Sequence, residues 1–141
     1  MYEEAIQEIP DEEWSTGDIS YLTPARIIYH VIETAEFYSQ NSKEFKWGHR
    51  FGIDHEKAPP ESLPSKDQMM TYHKEVKKKI VNWLDSMDDE SLLSKETIFT
   101  WTGSTILSRV LYINAHYRQH FGEINAELRH RGLDRIKWRT Y

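Results

Sequence analysis

The chain has 141 residues, seven histidines and no cysteine, with 38% hydrophobic and 29% charged residues and a formal net charge of -5. The length predicts a single domain over residues 1–141, and five Trp, eight Tyr and five Phe provide core bulk that disordered chains lack. Without cysteine there are no disulfides, thiolate nucleophiles or Cys-ligated zinc, so a metal would have to be held by His, Asp or Glu; the acidic balance disfavours nucleic acid as the main partner.

The N-terminal "MYEEAIQE" predicts a short helix over residues 2–9, stopped at Pro10. A connector follows, with one turn expected at Asp11–Trp14. In "TPARIIYHVIETAEFYSQNSKEF", Thr23 is placed to cap and Pro24 occupies the first helical position. Ile28, Val31, Ile32, Ala35 and Tyr38 form a helical stripe, and the predicted helix runs from 23 to about 45.

"KWGHRFGIDHEKAPPESLP" reads as a loop through its glycines and prolines. At roughly twenty residues, such a loop allows a crossover connection. Ser65 then caps a helix in which Met69, His73, Val76, Ile80, Trp83 and Met87 alternate at spacings of four and three, the pattern of a bundle seam. "DDESLLSKETIFTWTG" is a second long connector; "ETIFTW" has strand propensity but no evident partner and is expected to be irregular. The last helix is predicted from about Ser104 to Arg131, with Gly132 as its stop. Three long helices and a short one predict an all-α four-helix bundle with a shortened first helix and long crossover loops. The short helix leaves apolar surface that a twofold partner would bury, so a homodimer is expected.

No apolar run approaches the ~20 residues that span a bilayer, and the acidic N-terminus is unlike a signal peptide. No membrane association and a cytoplasmic location are expected. The basic C-terminal "RHRGLDRIKWRTY" suits the negative end of a helix dipole.

The chemistry concentrates on the last helix. In "NAHYRQHFGEIN", His116 and His120 stand one turn apart, so both imidazoles leave the helix on one side. At about 100° per residue they lie on the shoulder of the stripe Ile106, Val110, Ile113, Tyr117, Phe121, Ile124 and Leu128. Arg109, Tyr112, Glu123 and Glu127 share that polar edge. On the second helix His30 occupies a similar edge, with Glu33 nearby. If the two helices are neighbours, three imidazoles converge. A His₃ set without a fourth protein ligand matches an open catalytic metal site, for which Zn, Ni, Mn or Fe are all suited to nitrogen donors. The plainer alternative is that such histidines line a core edge or meet solvent. "HYRQH" lacks a Glu directly after its first His and is not the HExxH zinc-protease motif.

The other histidines have plainer readings. His73 on the seam is expected to be a satisfied core histidine. His49 and His55 fall in the Gly/Pro-rich loop and are expected to be solvated, and His130 suits a last helical turn. Trp47, Trp101 and Trp138 lie near element ends, where packing is their simplest role.

Taken together, "IQEIPDEEWSTGDISYLTPARIIYHVIETAEFY", "SKDQMMTYHKEVKKKIVNWL" and "LYINAHYRQHFGEINAELRHRGL" resemble the DinB/YfiT-like superfamily of metal-dependent enzymes over roughly residues 4–133. The resemblance implies a four-helix bundle with a divalent metal on His30, His116 and His120. It also implies thiol-dependent S-transfer or hydrolysis on a small molecule, since relatives include transferases and isomerases that use low-molecular-weight thiols such as bacillithiol or mycothiol. Two departures stand out: the first helix is short, and Glu123 occupies a position often Gln in the family.

On this reading the metal is a Lewis acid that lowers the pKa of a water or a substrate thiol. Any thiol comes from a cosubstrate, since the chain has no cysteine. Glu123 and Glu33 are the acid/base candidates, and Tyr112 and Arg109 the candidates for contacting an anionic substrate group. The alternative is a non-catalytic metal- or ligand-binding helical module acting in a homodimer.

Overall fold

A nearly all-buried helix organises the molecule. In the computed structural model, which describes residues 1–137, α3 (Pro24–Tyr38) buries every residue except His30 and Phe37. A helix that is buried on all sides must be packed on all sides. α4 (Lys66–Asp85) and α6 (Ile106–His130) do most of this packing, and α1 (Tyr2–Glu8), seated on α4, joins them in one apolar cluster with α3. The remaining pieces are α2 (Asp11–Trp14), α5 (Asp89–Leu93) and three single 3₁₀ turns at Ser20–Leu22, Pro60–Ser62 and Thr100–Thr102. The fold is all-α; among the described residues the only β pairing is the isolated bridge Lys95–Thr105.

The cross-contacts give the directions. Tyr38 packs on Tyr112, His30 on His116 and His120, and Asp18 N–H donates to Glu127, so α3 and α6 run antiparallel. Tyr29 meets Tyr72 while Glu36 reaches Lys79, so α3 and α4 run parallel. Parallel neighbours require a crossover, and the long loop between Tyr38 and Lys66 provides it.

The local signals act as expected in α4. Ser65 accepts from the Gln68 N–H and Gln68 accepts from the Ser65 N–H, a reciprocal capping box. Gly132 ends the last helix with φ 73°. The turn expected at Asp11–Trp14 forms, and Trp14 is pinned by its indole N–H to the Pro64 carbonyl.

Two expectations are corrected. The helix predicted to reach about residue 45 ends at Tyr38. Beyond it Phe45 and Trp47 turn back onto Phe37, and the Gln40 carbonyl is held by Arg109, so aromatic packing and a tertiary hydrogen bond replace further helical turns. Thr23 stands at the cap position, but its hydroxyl donates backward to the Ser20 carbonyl instead of capping α3. The last helix, expected from about Ser104, begins at Ile106 with Thr105 as its cap, whose hydroxyl accepts from the Ser108 N–H. "ETIFTW" is irregular, as expected, apart from the 3₁₀ turn.

The short first helix has a visible consequence. Tyr2 stacks edge-on against Tyr117 and Phe121, and there the α6 stripe is well covered. Phe121, Ile124 and Leu128 are buried, whereas Ile106, Val110 and Ile113 are only partly so, because seven residues of α1 cannot reach them.

Arg109 is a clamp inside this framework. Its guanidinium is 1% exposed, pairs with Glu96 at 3.0 Å, donates to the Gln40 carbonyl, and lies over the Trp83 and Phe99 rings. Glu96 also accepts from the Ile98 and Phe99 N–H groups. One buried ion pair thus joins both long connectors to α6. Arg109→Ala is expected to lower the unfolding free energy by about 3–5 kcal/mol, the cost of orphaning a buried partner charge. Urea denaturation measures it, and a loss below about 1 kcal/mol would contradict the clamp.

Candidate metal centre

His30, His116 and His120 meet where α3 crosses α6. Their ligating atoms lie within 4.8 Å of one another, and among the described residues no fourth His, Asp or Glu joins the group. His116 Nε2 is 3.1 Å from His30 Nε2 and 3.1 Å from His120 Nε2. The helices put them there for a simple reason. His116 and His120 share a face of α6, and His30 is one of two α3 side chains left out of the core.

Three imidazole nitrogens facing one another carry mutually repelling lone pairs unless a proton or a cation lies between them. His120 Nδ1 is 2.6 Å from Glu123 Oε2. A carboxylate accepts, so Nδ1 bears the proton and Nε2 directs its lone pair inward. Ligands about 2.0–2.1 Å from a tetrahedral ion stand about 3.3 Å apart, close to the two measured separations. Donor chemistry, spacing and tautomer therefore fit a divalent transition ion. A histidine ligand backed by a carboxylate is a recurrent arrangement in metal sites.

Two of the three imidazoles disfavour protons. Burial, reinforced by His116, His120 and His55, pushes His30 down to about 3. Burial and His120 push His116 down to about 4. Neutral imidazole is the form that coordinates metal.

A cleft of about 340 Å³ opens on the cluster, with Tyr21, Arg26, Glu56 and Glu123 around His30, His55 and His120. Glu123 is therefore at the site and orients His120. Glu33 is fully buried and outside the cleft: one oxygen accepts from Gly48 N–H at 2.5 Å, and the other lies 3.5 Å from His55 Nδ1. Tyr112 is exposed and packs on Tyr38, one turn from His116, and Arg109 is committed to Glu96 two turns away. Neither lines the cleft.

His55 corrects the expectation of a solvated loop residue. It is 7% exposed, and its Nε2 lies 3.2 Å from His30 Nδ1. Arg26 brings it there by donating to the His55 and Ala58 carbonyls. No periodicity marks a loop residue, so the local sequence holds no signal for this placement. His49 is half-exposed, near Glu33 and Glu36. His73 is buried as expected but not satisfied: its Nδ1 lacks a hydrogen-bond partner and stands 3.8 Å from Glu3. His130 is exposed, 3.4 Å from Asp18. Trp47 and Trp101 are half-exposed packing residues, the latter donating to the Tyr38 hydroxyl; Trp138 lies outside the described residues.

The model of the DinB superfamily matches residues 1–124, and the chain belongs to that family. No curated protein and no solved structure matches the chain.

The lowered imidazoles have a thermodynamic consequence. Burial also pushes His73 down to about 4. Between about pH 4 and the ordinary histidine value near 6.5, the unfolded chain binds protons that the folded chain refuses, so stability rises with pH through this window. Metal-free protein is expected to show its full stability contribution from these histidines above pH 6.5 and to lose it progressively toward pH 4. Denaturant midpoints between pH 4.5 and 7, before most carboxylates titrate, measure this. A flat profile, or a His30 imidazole that titrates near 6.5 by NMR, would contradict the burial argument.

Proposed function

We propose that this DinB-superfamily chain is a metal-dependent enzyme that holds one divalent transition ion on His30, His116 and His120 and acts on a small molecule, by S-transfer from a low-molecular-weight thiol or by hydrolysis. The observation that carries the reading is the convergence of three imidazole nitrogens from two helices, two of them, on His30 and His120, lining a cleft. When bound, Zn, Ni, Mn or Fe would supply Lewis acidity. A site with three protein ligands leaves coordination room, whereas a purely structural site is normally closed by four.

The chain's own groups divide the remaining work. His30, His116 and His120 offer nitrogen donors. Glu123 orients His120 and, as the partly exposed carboxylate beside the cluster, is the group placed to take a proton from a substrate. Glu33, the other acid/base candidate, acts only from behind the ligands, because its oxygens do not face the cleft. Tyr21 and Glu56 at the entrance are the groups placed to contact a substrate, in place of Tyr112 and Arg109, while Arg26 is committed to the loop carbonyls. A thiol, if used, enters as a cosubstrate, since the chain has no cysteine.

Untagged protein analysed by elemental mass spectrometry is expected to carry about one transition ion per chain. His116→Ala/His120→Ala should lose it while remaining folded. Metal-free wild-type protein that takes up none of Zn, Ni or Mn tightly would sink the reading.

A second reading, a non-catalytic metal- or ligand-binding module in a homodimer, draws on a different observation. A groove of about 550 Å³ runs between α4 and α6, lined by Ile80, Val81, Leu84, Val110 and Ile113, where α1 is too short to cover it. Val81 in this groove is 45% exposed, and Leu111, next in sequence to Val110, is 58% exposed. Light scattering coupled to size exclusion is expected to give twice the chain mass, and Leu111→Glu to give the single-chain mass. A monomeric wild-type profile removes the dimer from either reading. No helix among the described residues is long and apolar enough to cross a membrane, and the net charge of -5 favours a small-molecule partner over nucleic acid.

A further inference from the structure

Behind the three histidines runs a buried chain of groups that the metal reading does not require. Glu33 is 0% exposed. Its Oε1 is taken by the Gly48 N–H, and its Oε2 has no hydrogen-bond partner of good geometry, the nearest donor being His55 Nδ1 at 3.5 Å. His55 Nε2 is 3.2 Å from His30 Nδ1, and His30 Nε2 faces His116 Nε2 at 3.1 Å. Carboxylate, imidazole and imidazole thus lie in sequence, and all three are fixed from outside.

The fixing is specific. Gly48 adopts φ 74°, and a Cβ there would stand 2.3 Å from the Ile53 carbonyl oxygen, so only glycine makes the turn that presents its N–H to Glu33. Arg26, itself buried, ties the His55 and Ala58 carbonyls to α3. Tyr29 packs against the His55 ring. His55 is therefore held in place through its own carbonyl, through that of Ala58 and by an aromatic face.

The proton pattern follows from the carboxylate. With the Glu33 carboxylate 3.5 Å away, His55 is better served by directing its Nδ1–H toward it than a lone pair. Neutral His55 then has a lone pair on Nε2, which can only accept from His30 Nδ1–H. His30 is left with its lone pair on Nε2, directed at His116 and the cleft. The opposite tautomer of His30 would set two lone pairs against each other at 3.2 Å and place a proton where a ligand atom is needed.

We propose that His55 is a positioning residue for His30: braced by Glu33, it selects the His30 tautomer and ring orientation that can bind metal. The inference rests on the three-histidine reading above, and it makes His55 and Glu33 the counterpart of the Glu123 that orients His120. Partners of this kind typically change metal affinity about 10- to 100-fold when removed.

Two variants and one spectroscopic measurement test it. His55→Phe keeps a ring of similar size without an acceptor; His55→Gln keeps an acceptor near the Nε2 position. By competition with a chromophoric chelator, His55→Phe is expected to bind Zn²⁺ about 10- to 100-fold more weakly than wild type, and His55→Gln to recover most of that loss. In metal-free wild-type protein, imidazole ¹⁵N shifts are expected to show His30 as the Nδ1–H tautomer; in His55→Phe it should become a mixture. Equal zinc affinity in His55→Phe and wild type overturns the proposal, as does an equal loss in both variants, which would leave His55 a packing residue. An Nε2–H tautomer of His30 in wild type overturns it without any variant. Wild-type protein that binds no zinc would sink the metal reading instead, and the tautomer measurement would still decide the role of His55.

Discussion

The structure depends on one electrostatic constraint: three partly buried imidazoles are held with their ring nitrogens converging, where burial drives protons from His30 and His116. Their nitrogens stand 3.1 Å apart in two of the three pairs. Left alone, such an arrangement is unfavourable, because lone pairs oppose lone pairs and burial resists the proton that would relieve them. A cation bound between them removes the conflict. The cost of keeping the site ready is met by packing elsewhere, chiefly the burial of all of α3 except His30 and Phe37 and its antiparallel contact with α6.

Carboxylates placed behind the ligands make the arrangement directional. Glu123 serves His120 from the same helix, three residues on, where the side chains of one helical face naturally meet. Glu33 also lies three residues from its histidine on the same helix, but works through a loop residue, His55. The difference follows from depth. Glu123 is at the cleft rim, whereas Glu33 points into the interior, where the crossover loop returns over α3. The loop is held by interactions that belong to the fold and not to the site: Arg26 to two carbonyls, Gly48 to Glu33, and Arg109 to Gln40 at the loop's start.

Much of this was legible in the residues alone. The 3.6-residue periodicity located all three long helices, Pro24, Ser65 and Gly132 marked their ends, and the edge positions of His30, His116 and His120 indicated a shared site once the helices were taken as neighbours. What stayed hidden has one physical origin. Helix faces follow from local repetition, but the path of a loop follows from distant contacts. So His55 read as solvated and proved buried, and the helix after Pro24 read as longer than it is because nothing local announces the return of Phe45 and Trp47 onto Phe37. Arg109 shows the same limit: its helical position suggested a substrate contact, while its partner Glu96 comes from a connector with no periodicity to read. A charged residue on a helix edge can face a cleft or anchor a loop, and only the tertiary structure distinguishes them.

The central claim is that the three imidazoles form one coordination shell, and the most direct measurement is X-ray absorption at the zinc edge of protein loaded with one equivalent. The account predicts a four-coordinate shell of nitrogen and oxygen at about 2.0–2.1 Å, with the outer-shell scattering of three imidazole rings. One imidazole or none, or a six-coordinate shell of oxygen alone, would show that the ion prefers another place on the molecule and would contradict the account.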